Sequence, residues 1–87
     1  MPRISYFFGI TIAMHWRESH HSRPHFHAYY GEYEASLDLA GELIAGALPR
    51  RQLRLVQVWA ELRAEELNAD WDLAVKGKPL TSIDPLH

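Results

Sequence analysis

Eighty-seven residues, no cysteine and a formal net charge of −2 at neutral pH set the first limits. The missing thiols exclude a structural disulfide and a zinc–thiolate site, and the slight acidity argues against broad electrostatic binding to nucleic acid, although a local basic groove stays open. With 47% hydrophobic and 23% charged residues, the composition is that of one folded domain, and a chain this short buries only roughly 60–65% of its unfolded surface, so a single core has to serve every element.

The chain opens with MPRISYFFGITIAMHW, one arginine followed by an apolar run. Thr11, His15 and Trp16 interrupt that run, no convincing small-residue cleavage site follows, and it is shorter than the roughly 20 residues that span a bilayer. The expectation is therefore a cytoplasmic protein with no membrane segment. Residues 3–8 and 10–16 are predicted strands, rich in aromatic and β-branched side chains, with Gly9 between them as a turn or bulge. In the second strand Ile10, Ile12, Met14 and Trp16 alternate onto one face, and Thr11, Ala13, His15 and Arg17 onto the other. Glu18 to Pro24 is a polar connection in which Arg23 is pushed towards an extended conformation by the proline ring.

From His20 to Leu39 the sequence HHSRPHFHAYYGEYEASLDL reads as a loop feeding a β-hairpin. Gly31, free to take positive φ, makes Tyr30-Gly31-Glu32-Tyr33 a tight turn and sets Tyr30 opposite Tyr33. Period-two alternation then gives an apolar face of Tyr30/Tyr33, Ala28/Ala35 and Phe26/Leu37. The other face carries Tyr29/Glu34, His27/Ser36 and His25/Asp38. If the second strand pairs with this hairpin, His15 and Arg17 join the histidine face.

Residues 41–46, bracketed by Gly41 and Gly46, read as a short fifth strand, with Ala40-Gly41 as the turn before it. The period then changes. Pro49 suits a helix first turn, and apolar positions from Leu53 to Leu67 form a broad arc opposite a wet stripe of Arg50, Arg54, Gln57, Glu61 and Glu65. Asn68 and Asp70 are read as caps of a second, short helix carrying Trp71, Leu73, Ala74 and Val75 and ended by Gly77, with a single bent helix as the alternative. Residues 78–87 contain too many breakers to be regular, yet Leu80, Ile83 and Leu86 suit an extended, packed tail. The predicted architecture is α+β: an antiparallel meander of four to five strands followed by one long and one short helix packed on it. A β-sheet half covers 1–46, a helical half 47–77 and the tail 78–87.

The histidine face supports three chemistries. His25 and His27, at i and i+2 on one strand, present two imidazoles to a metal ion, with His15 or Asp38 as a third ligand. The same residues suit acid–base cleavage of RNA by its own 2′-hydroxyl: His25 or His27 as acid and base, Asp38 as orienter, and Arg17 or Arg23 on the phosphate. Tyr29 would then donate a proton or stack on a base. The third chemistry is hydrogen bonding within a half-exposed sheet, His25 to Asp38 and His27 to Ser36. Arg50, Arg51 and Arg54 form a cationic cluster at a helix start, where they oppose the helix dipole, and either an acidic partner, RNA or local glutamates (Glu32, Glu34 and Glu42) would offset them. Trp16, Trp59 and Trp71 are read as core.

The motifs MPRIS, FFGI, RPHFHAYYGEYEA, LPRRQLRLV, WAEL, EEL, GKPL and IDPL, in this order along nearly the whole chain, resemble the small bacterial family called domain of unknown function 4160. PHFH followed by YGEYEA is its most specific part. The resemblance implies a bacterial two-gene, toxin–antitoxin-like module whose neighbouring gene encodes a second small protein similar to domain of unknown function 2442. It implies no settled catalytic residues. One departure lies in His20-His21-Ser22-Arg23-Pro24, where typical members carry a short Asp- or Asn-containing loop ending in a double proline. The expected function is thus binding of a small protein partner through the PHFH hairpin. A metal-independent ribonuclease using His25 and His27 is the alternative, and a metal-binding domain through the His-x-His pair the third reading. Arg17, Tyr29, Arg50, Arg51 and Arg54 are expected binding residues, and an uncovered sheet edge would favour a homo-oligomer.

Overall fold

The computed structural model describes residues 2–15 and 23–87. Five strands, β1 (Arg3–Phe7), β2 (Ile10–Ala13), β3 (His25–Tyr30), β4 (Tyr33–Asp38) and β5 (Leu43–Gly46), precede two helices, α1 (Arg50–Leu62) and α2 (Ala64–Val75). The strands form one antiparallel sheet in sequence order, β1-β2-β3-β4-β5. This is the expected α+β meander.

The central hairpin has the register that its turn dictates. Tyr30 faces Tyr33, and the pairing runs outward through Ala28–Ala35, His27–Ser36 and Phe26–Leu37 to His25–Asp38. Gly31 has a φ of 55°, as a turn with its first central residue at positive φ requires. The first hairpin turns through two residues instead of Gly9 alone: β1 ends at Phe7, and Phe8 (φ 49°) joins Gly9 (φ 78°) in the turn before Ile10. β2 ends at Ala13, and Trp16 and Arg17 lie outside the described residues.

The apolar sheet face carries Ile10, Ile12, Phe26, Ala28, Ala35 and Leu37, and it is sealed by Val56, Trp59 and Ala60 of α1 with Leu67 and Ala74 of α2. Trp59 is the central contact, with ring centroids 5.5 Å from Phe7 and 5.8 Å from Phe26. Burial of this kind, and not helix propensity, holds such helices in place.

The helical boundary falls earlier than predicted. Arg63 leaves the helical region (φ −111°, ψ 25°) while its N–H still bonds the Trp59 carbonyl, so the chain bends there and restarts at Ala64. Asn68 and Asp70 are therefore interior residues of α2 and not caps. The Asn68 side-chain amide donates to the Ala64 carbonyl at 2.8 Å, and Asp70 is buried. Glu65 and Glu66 occupy the first turn of α2, where carboxylates favour the dipole. At the other end Gly77 N–H and Lys78 N–H bond the Ala74 and Leu73 carbonyls, a Schellman-type stop where the sequence placed one.

The irregular tail ties three elements together. Ile83 is buried and its N–H donates to the Ile4 carbonyl of β1 at 2.7 Å; the Trp59 indole N–H donates to the Asp84 carbonyl at 2.8 Å. Thr81 N–H donates to Asp70 Oδ1 at 2.9 Å, while Asp70 Oδ2 is buried with no hydrogen-bond partner among the described residues. Desolvation pushes the Asp70 pKa above the ordinary carboxylate value, and nearby Glu66 adds to it, against the lowering effect of the Thr81 bond. The folded state thus binds this proton more tightly than the unfolded chain does, so the cost of the buried charge is absent below the unfolded pKa and appears as pH rises through the folded one. Asp70→Asn, which mimics the protonated acid and keeps an oxygen for Thr81, is expected to raise the melting temperature at neutral pH. Its advantage should shrink as pH falls into the carboxylate range. Melting curves across pH check this, and a constant offset at all pH values would contradict it.

Candidate functional site

The sheet face opposite the core collects the predicted polar residues. His25 and His27 on β3 are half-buried, and pairing of β2 with β3 sets Thr11 opposite Tyr29 and Ala13 opposite His27. His15 therefore arrives beside the hairpin, its ring 4.3 Å from that of His27 and edge-on to it. His25 lies 5.1 Å from His27 on the other side, again edge-on. The three imidazoles form a continuous row. Tyr29 extends it, with its ring nearly parallel to that of His27 at 6.3 Å and its hydroxyl 3.4 Å from His15 Nε2. Trp71 of α2 closes the other end, 5.6 Å from His25.

Hydrogen bonds orient these rings. His25 Nδ1 lies 3.0 Å from the Arg23 carbonyl, which can only accept, so the bond puts a proton on Nδ1. His27 Nδ1 pairs with Ser36 Oγ at 3.3 Å, the cross-strand bond that the register predicts. Asp38 has a different main task. Its Oδ1 accepts from Ala40 N–H at 3.0 Å and Glu42 N–H at 2.9 Å, an Asx-type turn that launches β5. Its Oδ2 faces Arg23 Nη2 at 3.4 Å, a half-exposed pair of little energetic weight. Asp38 thus stands opposite His25 in register while its carboxylate serves the turn and Arg23.

The remaining predicted residues divide. Arg50, Arg51 and Arg54 are exposed on α1, in the helical layer, whereas the imidazole row lies on the far side of the sheet, so the two sets do not form one surface. Among the described residues none of the three arginines makes an ion pair, and α1 has no acidic residue in its first turn. Arg17, with His20 and His21, lies outside the described residues. A metal ion is not supported by the geometry either: among the described residues no three His, Asp or Glu side chains are placed to hold one.

Two further contributors reach the site without a direct signal in the sequence. Trp71 packs against the core as expected, and the bend at Arg63 also brings its ring to His25, a contact the sequence did not signal. Ile44 and Ala45 of β5 join Arg23, His25 and Ser36 around a shallow hollow of about 240 Å³, giving the polar face an apolar wall. The signal available for these was a short, uncharged strand that ends the sheet.

Among the described residues no helix is long and apolar enough to cross a membrane. Neither the curated proteins nor the solved structures include a match to this chain. A family model described as a domain of unknown function (DUF4160) matches residues 9–72, from the first turn through the imidazole row and α1 to Asp72 within α2, and the chain belongs to that family.

Proposed function

We propose that this protein is the binding component of a bacterial toxin–antitoxin-like pair and that the imidazole face is where its small protein partner docks. The observation that carries the reading is the row His15–His27–His25, with Tyr29 and Arg23 beside it, on a sheet face directed away from the core, and with Trp71 of α2 in ring contact with its His25 end. Tyr, Trp and Arg are the residue types that dominate the energetics of protein interfaces, because each joins a large apolar body to a hydrogen-bonding end. The rings are already fixed by packing and hydrogen bonds, so little side-chain entropy remains to be lost on association. Growth of bacteria expressing this chain, alone and together with the neighbouring reading frame, tests the reading. Harmless expression with formation of a stable complex is the expected result. Failure of the two chains to co-purify contradicts it.

A second reading, RNA cleavage, is favoured by the same three imidazoles lying in ring contact near Arg23. His25 Nε2 and His27 would serve as acid and base and Arg23 would take the phosphate. Expression of the chain alone would then arrest growth, and His25→Ala/His27→Ala would restore it. RNA turnover that survived both substitutions would remove this assignment.

A further inference from the structure

The two edges of the sheet are treated differently. At β1 the tail lies against the outer strand, where Ile83 N–H takes the Ile4 carbonyl, and Arg3 sits over the Tyr6 ring at 5.5 Å. At β5 all four residues, Leu43, Ile44, Ala45 and Gly46, are exposed, and none is charged or a proline. The backbone bonds that flank this strand, Asp38 N–H to the Glu42 carbonyl and Ala47 N–H to the Glu34 carbonyl, run inward to β4. The register slips between Ser36 and Leu37, so that Ile44 is the extra residue of a bulge. A bulge usually blunts an edge, but this one carries an apolar side chain that is 41% exposed.

We infer that β5 is a pairing edge for the β5 of a second copy of this chain, in antiparallel orientation. Charge selects that occupant. The strand is uncharged, Glu42 precedes it, and the exposed Arg50 and Arg51, without an ion pair among the described residues, follow it. Antiparallel self-pairing brings Glu42 of each copy towards Arg50 and Arg51 of the other, whereas parallel pairing would place like charges together. The same contact sets carboxylates near the first turn of α1, which has none of its own.

The geometry has a consequence for the imidazole face. A two-fold axis that pairs edge strands antiparallel stands perpendicular to the sheet, so both imidazole rows lie on one side and both helical layers on the other. The hollow bordered by His25, Ile44 and Ala45 opens at β5, and so does a neighbouring one of about 250 Å³ lined by Glu34, Ser36 and Gly46. The second copy's strand supplies the wall that each lacks. With only four residues in the ladder the contact is small, and association is expected to be concentration-dependent.

This inference is independent of the partner-binding reading, because self-association is measured on the purified chain alone. Sedimentation equilibrium over a wide concentration range is expected to show mass rising from monomer to dimer. Ile44→Lys should stay monomeric with a melting temperature close to that of the dissociated wild type. Glu42→Arg alone and Arg50→Glu/Arg51→Glu alone should each weaken the dimer at least tenfold, and the three substitutions together should restore it. A wild type that is monomeric at every concentration overturns the inference, as does a dimer indifferent to Ile44→Lys. An Ile44→Lys chain that loses only the neighbour's protein, from a wild type that never self-associates, also overturns it and gives the edge to that partner.

Discussion

Trp59→Ala is expected to destabilise the fold by about 3–5 kcal/mol, a large part of the roughly 5–15 kcal/mol that holds a small domain together. The indole is fully buried where α1 meets the sheet, in ring contact with Phe7 and Phe26, so its removal leaves a cavity at the centre of the core. It also carries the tail through its bond to the Asp84 carbonyl. Trp59→Phe separates these two roles. It keeps most of the volume and loses the donor, at a cost of about 1–2 kcal/mol, much of it from local loosening of the tail. Denaturant titration measures the two stabilities, and hydrogen exchange at the Ile83 amide reads the tail. Unchanged exchange in Trp59→Phe would show that the indole bond does not anchor it.

Gly46→Ala is the second large effect, about 3 kcal/mol or more, enough to lower the melting temperature by over roughly 10 °C. Gly46 has a φ of 77° and stands opposite Ala35 where β5 ends. A Cβ there would collide with the Glu34 carbonyl oxygen and come within 3.0 Å of the Ala35 Cα, both backbone atoms that cannot swing away. Gly31→Ala is the matched control. It has positive φ too, but its Cβ would meet nothing within 4 Å, so only the backbone cost of about 1–2 kcal/mol applies. Equal losses in the two variants would mean that the close approach of β5 to β4 does not matter.

These two sites show where the sequence is informative. The Gly31 turn is local, and from it every pair of the central hairpin follows by counting, which is why the imidazole face could be drawn in advance. His15 joins that face only through the β2–β3 pairing, a contact across a connection whose length says nothing about register. The bend at Arg63 is less legible still. Arginine favours helix, and nothing local stops α1 there except the gain from turning Leu67 and Ala74 back onto the core. Asn68 and Asp70 misled because their side chains prefer caps; inside α2 one bonds back to Ala64 and the other is spent on the tail. Trp71 reaches His25 as a result of that bend, and Asp38, facing His25 in register, is claimed by a turn whose bonds depend on where β5 starts.

The imidazole face is the proposed docking surface for the small protein partner. The most direct test is titration calorimetry of the purified chain with the small protein encoded beside it, using the wild type and a His25→Ala/His27→Ala variant confirmed as folded by its melting curve. A complex that the double substitution weakens at least tenfold, about 1.4 kcal/mol or more, is the predicted result. No complex, or one of unchanged affinity in the variant, would contradict it.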